Sequence, residues 1–488
     1  MAKRPRDRET EDVRVTLIDR DASVTPVYDS LESFVAPLTP AQFMDTEFKK
    51  RAFVARVHPK LRERRLEDLK ELMDNFNPLA MLGESNSEQI HVWMKSRTTG
   101  ELKSIRTDAT QAKACYDAGH ALYFRGSELL ESTLLPPLAQ ALNFGFGASH
   151  RDGLRRGEIE TFVSPAGHTT EWHFDFQENF TVQLKGSKKW SFRRSGVANP
   201  HRACATHFNG PEHRRTLHSQ LQIARQNDPS FEGVPSNIDA ECESVVLQPG
   251  DVLYHPAGIW HKVEAIGDEP SLSINLSFFP ATWAEVIGET LTHAMAMDPA
   301  LRERVQYADV NDARRQLQLK LAASRKILDG LDAASIMTPA VADRAGHVTV
   351  VVDHSGEIAT SYTNIPKVEC KKLRRNKLAI LSLTPESAAF PVAMPADCGS
   401  DSEDSDTEPD TVTIVPGYVR FDVTANFMAE EGSIGGLATG ATLFVEESMR
   451  VAFEKLALLA PTTVERRSLQ LPGTIVDMLV AIGYLCEA

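Results

Sequence analysis

The sequence predicts a mixed α+β chain built on a double-stranded β-helix of the cupin or jelly-roll type, followed by a helical segment and a small C-terminal α/β module. Three observations carry this. Between Glu158 and Phe279 the apolar spacing changes from helical to period two, in short runs cut by Gly and Pro turns. A His-x-Asp pair, His173 and Asp175, and a later imidazole fit a metal set on the strands of a closed or sandwiched sheet. After Pro280 the period returns to helical.

Residues 1–29 begin Met1-Ala-Lys-Arg-Pro-Arg, without a core pattern, and are expected to be a disordered basic tail. Lys3, Arg4 and Arg6 suit a nuclear import signal as well as a plain solvated tail. Residues 30–282 form the main domain. Helices are expected at 61–76 and 110–118 and along the apolar run 134–144. Short strands follow at 158–164, 179–184, 189–193, 244–247, 251–255, 261–265 and 271–279. Residues 283–331 read as amphipathic helices at 283–296, 299–305 and 310–331, with Leu317, Leu319, Leu321 and Ile327 among the apolar positions. The module at 335–488 holds strands at 347–353 and 418–425 and helices at 448–458 and 475–483. It is interrupted at 397–410 by seven acids in fourteen residues, which reads as a solvated disordered loop.

Composition bounds the function. A net charge of −14 and a pI near 5.6 argue against a chain that grips long nucleic acid through one basic face. The six cysteines form no C-x-x-C pair, so neither a disulfide framework nor a structural zinc site is expected. With no long apolar run and no signal-peptide core, a soluble intracellular protein is expected, without a membrane partner and in the nucleus or cytoplasm.

The chemistry concentrates in Thr170-Glu-Trp-His-Phe-Asp-Phe-Gln-Glu-Asn-Phe-Thr-Val-Gln-Leu-Lys-Gly-Ser-Lys-Lys-Trp190. On a strand, residues i and i+2 share a face, so His173 and Asp175 present a nitrogen and an oxygen side by side. The segment Gln248-Pro-Gly-Asp-Val-Leu-Tyr-His-Pro-Ala-Gly-Ile-Trp-His261 returns the second imidazole. His261 lies beyond the Pro256–Gly258 turn and is preferred to His255. Two His and one carboxylate on one face of an octahedron leave three positions open, the ligand set of Fe(II) oxygenases that bind a chelating co-substrate and O2. If that co-substrate is 2-oxoglutarate, its far carboxylate needs a cation. Lys188, expected on the strand neighbouring the His-x-Asp strand, is preferred to Lys185 for this role. Thr170 and Thr181 offer hydroxyls to the same carboxylate. Asn179 and Asn275 suit either the co-substrate or the groups behind the metal ligands, and His168 a loop at the pocket mouth.

The pattern His-x-Asp-x-x-x-Asn-Phe-x-x-Gln-x-x-Gly-x-Lys-x-Trp, then Pro-Gly-Asp-x-Leu-Tyr-x-Pro-x-Gly-x-x-His, resembles the JmjC-domain Fe(II)/2-oxoglutarate oxygenases, in their hydroxylase branch. Over 123–279 the match is specific. It implies metal ligands at His173, Asp175 and His261 and a co-substrate cation at Lys188. The overall plan is most similar to the ribosomal oxygenases, which implies a homodimer through 283–331 and a winged-helix-like module ending at Leu471-Pro-Gly-Thr-Ile-Val-Asp-Met-Leu. Gln177-Glu-Asn-Phe180 is closer to the asparaginyl and lysyl hydroxylases, which leaves the target residue open. The expected function is hydroxylation of a protein side chain, in a ribosomal protein or another. The alternatives are N-methyl-lysine demethylation by the same chemistry and a catalytically silent cupin-like binding protein.

Overall fold

The computed structural model describes residues 13–17, 30–57, 59–85, 90–95, 102–144, 157–193, 197–205, 218–219, 221–223, 225–226, 238–342, 348–360, 362–383, 418–424 and 440–488. Lys3, Arg4, Arg6 and the acidic stretch 397–410 lie outside them. The chain divides into two compact units, one running to Pro280 and the other from Ala281 to Ala488.

The strands of the first unit are β1 (Val13–Leu17), β2 (Ala52–Arg56), β3 (Ile90–Lys95), β4 (Leu102–Thr107), β5 (Ala121–Arg125), β6 (Gly157–Ser164) and β7 (His173–Phe174). They continue as β8 (Glu178–Lys185), β9 (Ser187–Arg193), β10 (Cys204–Ala205), β11 (Glu243–Leu247), β12 (Val252–His255), β13 (Trp260–Ile266) and β14 (Ser271–Phe278). One sheet has the order β1-β2-β12-β8-β14-β6-β5-β3-β4, the other β10-β7-β13-β9-β11. Each of the seven strands expected between Glu158 and Phe279 is present to within two residues at either end.

Central position explains why β8 is buried along nearly its whole length. Phe180 packs against Phe34, Phe43, Tyr254 and Phe278, with ring centroids 5.1 to 6.5 Å apart. Burying a side chain of that size stabilises the fold by about 1.5–3 kcal/mol. Helices Pro59–Leu72, Ala109–Asp117 and Glu128–Ala141 correspond to the expected ones, the last starting earlier because Ser127 caps it.

Residues 13–17 correct the expectation of a disordered tail through residue 29. They form β1, parallel to β2. The buried strand β2 has an open row of backbone groups, and Val-Arg-Val-Thr-Leu supplies their partners. Arg14 adds an ion pair to the buried Glu47 at 2.5 Å.

In the second unit, Thr282 and Glu285 form a capping box that starts the helix Trp283–Ala296, and Asp309 caps the helix Val310–Asp329. The helix expected at 299–305 is a turn. Ala300 N donates to Asp298 Oδ1, and Leu301 and Arg302 donate to the Asp298 carbonyl, after which so short a segment does not propagate. The strands are β15 (Val348–Val352), β16 (Ile358–Thr360), β17 (Lys372–Arg375), β18 (Ile380–Leu383), β19 (Tyr418–Thr424), β20 (Gly440–Glu446), β21 (Thr463–Glu465) and β22 (Leu485–Glu487). They form a sheet β16-β15-β20-β19-β18, in which β15 and β20 are parallel, and a three-stranded antiparallel sheet β21-β17-β22. Helices Arg450–Ala457 and Gly473–Ala481 share one core with them through Phe453, Ile475 and Leu479. Among the described residues no helix is long and apolar enough to cross a membrane.

Candidate active site

His261 on β13 is the register partner of His173 on β7, and their rings lie 4.1 Å apart, centroid to centroid. Asp175 follows β7 by one residue. One ligand atom from each of His173, Asp175 and His261 lies within 4.8 Å of the others. The His173 Nδ1 is 2.7 Å from the Glu171 carbonyl and the His261 Nδ1 is 3.1 Å from that of Ile259. Each Nδ1–H therefore has an acceptor, which leaves Nε2 as the lone-pair nitrogen, the arrangement of a metal-bound histidine. His261 Nε2 stands 3.6 Å from Asp175 Oδ2. That is too long for a hydrogen bond and near the roughly 3 Å that separates adjacent ligands of an octahedral ion. Burial, then His173 and His255, hold the His261 pKa well below its ordinary value, so the ring is neutral, the form that ligates. The residues fit a divalent metal.

A turn fixes this geometry. Gly258 has φ +80°, and a Cβ there would lie 2.3 Å from the Val197 carbonyl oxygen. Its N–H donates to the Asp175 carbonyl at 2.8 Å, tying the turn before His261 to the backbone of another ligand.

His255 does not join the ligand group. It lies on β12 opposite Asn179, fully buried, with its ring 4.5 Å from that of His261. Neither ring nitrogen has a hydrogen-bond partner among the described residues, and burial pushes its pKa down to about 3.

Lys188 lies on β9, which pairs with β13 and β11. The expectation that its strand neighbours the His-x-Asp strand is corrected: β13 intervenes. The side chain crosses to the other sheet, where Nζ donates to Ser273 Oγ on β14 at 2.7 Å and sits 5.4 Å over the Phe162 ring. It is only 4% exposed, and burial pushes its pKa down to about 7. Lys185 instead donates to the Phe76 carbonyl at 2.9 Å.

The other sequence-selected residues divide. Thr170 lines the cavity, but its hydroxyl accepts from Val263 N at 2.9 Å. Thr181 donates to Asn275 Oδ1, and both line the cavity. Asn179 donates to Asp175 Oδ2 at 3.3 Å, which places it behind a ligand. His168 lines the cavity from the loop before β7.

His173, Asp175, His261 and Lys188 border one cavity of about 510 Å³. Sequence reasoning missed Tyr123, Glu158, Glu160, Trp190 and Ser273 on its wall. The period-two pattern of 158–164 carried a signal, since it places Glu158, Glu160 and Phe162 on one face. Trp190 stacks on His261, with centroids 5.6 Å apart and planes 26° apart.

Residues 44–281 match the model of the cupin-like domain family. Over that stretch, just under half of its length, the chain is similar to cupin-like domains. The uncharacterised protein YxbC of Bacillus subtilis is 24% identical over 285 residues, which is 56% of this chain and 78% of that protein. The bifunctional lysine-specific demethylase and histidyl-hydroxylase NO66 of Aedes aegypti is 26% identical over 37% of this chain and 23% of its own length. Ribosomal oxygenase 1 of Bos taurus is 27% identical over 28% of this chain and 17% of its own. The chain thus spans less than a quarter of these last two relatives.

Proposed function

We propose that this chain is an Fe(II)- and 2-oxoglutarate-dependent dioxygenase that hydroxylates a side chain of a protein substrate, with ribosomal proteins the first class to test. One observation carries the reading: the His173, Asp175 and His261 ligand atoms and a buried Lys188, which has no carboxylate partner among the described residues, open onto one cavity. Iron held there supplies oxygen activation, one oxygen atom entering the substrate C–H bond and the other the succinate formed, with CO2, from 2-oxoglutarate.

The residues divide the remaining work. His173 and His261 hold the metal through Nε2, their rings fixed by the Glu171 and Ile259 carbonyls. Asn179 steadies the Asp175 carboxylate. Lys188 takes the far carboxylate of 2-oxoglutarate, with Ser273 setting its reach. Phe162 and Trp190 keep water from the walls beside these charges, which strengthens their attraction.

The finer readings belong to the same proposal. The module is read as winged-helix-like on the strength of β21-β17-β22 and the helix Gly473–Ala481 packed with it. A homodimer through 283–331 is supported by Val310, Leu317, Leu321 and Leu328, which are 45 to 61% exposed and recur on one face of one helix. A nuclear location rests on Lys3, Arg4 and Arg6 alone.

The test is succinate formation from 2-oxoglutarate by the purified chain with Fe(II) and O2. Activity lost in His261→Ala is expected, and no conversion by the iron-loaded chain overturns the proposal. Formaldehyde release from N-methyl-lysine peptides in the same assay marks demethylation instead.

A further inference from the structure

The cavity is basic around Phe162, where Lys188 sits over the ring, and lined by carboxyl groups further along the same strand. Glu158, Glu160 and Phe162 alternate on β6 and all line the cavity. At about 3.4 Å per residue, Glu160 emerges roughly 7 Å from Phe162 and Glu158 as far again. Glu160 accepts from Tyr123 Oη at 2.5 Å and from Ser277 Oγ at 2.8 Å. Both donors are neutral, and among the described residues no Lys, Arg or His is in ion-pair contact with Glu160. Glu158 has Arg125 at 3.6 Å, but that guanidinium is held by Glu131 at 2.9 and 3.1 Å. Two carboxylates, Glu131 and Glu158, share that one cation. Arg106, also on the wall, lies on β4, with β5 and β3 between it and β6. Burial, then Glu158, push the Glu160 carboxyl up to about 8, so it holds its proton in the ligand-free protein at neutral pH and would ionise beside an incoming cation.

A second observation points to a ligand in the same cavity. Trp190 is only 5% exposed, it lines the cavity, and its Nε1–H has no hydrogen-bond partner among the described residues. Buried donors are normally satisfied, and a ligand in the cavity that carries an acceptor would satisfy this one.

We propose that the substrate side chain this cavity admits is cationic, an arginine or a lysine, received by Glu160 with Glu158 beside it. This rests on the hydroxylase reading and narrows it. A neutral asparagine or histidine side chain would leave Glu160 protonated and gain no ionic partner, whereas a guanidinium or ammonium would ionise it and give it charge-assisted donors in place of its neutral ones. Lys188 serves the dicarboxylate at the other end, so the two ligands sort by charge.

The experiment is calorimetric titration of the full chain, loaded with Co(II) and 2-oxoglutarate, with Gly-Gly-X-Gly-Gly peptides in which X is Arg, Lys, citrulline or norleucine. At least one cationic peptide should bind ten-fold or more tightly than its neutral counterpart. Glu160→Gln should abolish that preference and Glu158→Gln should reduce it, with the Co(II) absorption spectrum reporting an intact metal site. Citrulline equal to arginine and norleucine equal to lysine, or no binding of either cationic peptide at millimolar concentration, overturns the proposal. So does a preference that survives in Glu160→Gln. Peptide-independent conversion of 2-oxoglutarate to succinate, measured separately with Fe(II), tells failure of the oxygenase reading from failure of this one.

Discussion

Lys188 Nζ donates to Ser273 Oγ at 2.7 Å across the space between the two sheets, and among the described residues it has no carboxylate partner. A buried ammonium held only by a hydroxyl is costly in the ligand-free protein and well placed for an incoming anion. Replacing Lys188 with Ala should therefore weaken 2-oxoglutarate binding by roughly 10- to 100-fold, the worth of a charge-assisted hydrogen bond. The iron requirement should hardly change, and Lys188→Arg should be milder because it keeps the charge. Titrating 2-oxoglutarate and Fe(II) separately in the succinate assay checks this. Unchanged 2-oxoglutarate dependence in Lys188→Ala sinks the role.

The same lysine predicts a pH dependence. Its pKa in the ligand-free protein is pushed down to about 7, below the ordinary lysine value, and the co-substrate binds the protonated form. Affinity for 2-oxoglutarate should be fullest below pH 7 and fall above it, by up to about ten-fold per pH unit. Folding carries the opposite sign: the unfolded chain holds the proton up to about 10.5, so this group's contribution to ligand-free stability rises as pH increases from about 7 toward that value. Binding curves across pH 6 to 9 decide the first point, with Lys188→Ala as the flat control.

His173→Ala, Asp175→Ala and His261→Ala should each abolish metal-dependent turnover while leaving the fold largely intact, since a three-ligand site has no spare ligand. His255→Leu should keep metal binding, because His255 stands outside the ligand group. Metal content of the purified variants reads both, and a His261→Ala protein that retains stoichiometric iron would point to His255.

Gly258→Ala should cost at least about 2 kcal/mol of stability and weaken metal binding together. The new Cβ meets the Val197 carbonyl at a backbone angle that L side chains rarely adopt, and the turn it distorts sets both His261 and Asp175. Thermal unfolding with and without Co(II) measures the two effects.

Leu317→Glu combined with Leu321→Glu should convert a dimer to a monomer in light scattering, with succinate formation retained at the isolated active site. A wild-type chain of monomer mass at micromolar concentration rejects the dimer.

The sequence by itself determined the jelly-roll strands, because inward and outward residues must alternate on a half-buried strand, and the ligand candidates, because His-x-Asp and a returning histidine follow from local spacing. It also flagged Lys188 through chemistry alone. Only the tertiary structure decided which imidazole completes the site, since His255 and His261 lie in one short segment and β13, not β12, pairs with β7. Likewise β1 is stable only through the backbone partners that β2 provides, and five polar and apolar residues do not announce such a partner. The acidic wall was hidden for the same reason. Glu158 and Glu160 read as ordinary strand residues until β5 and β14 bring Tyr123 and Ser277 to Glu160 and only an Arg125 already shared with Glu131 to Glu158, because the charge balance of a cavity is a sum over strands distant in sequence.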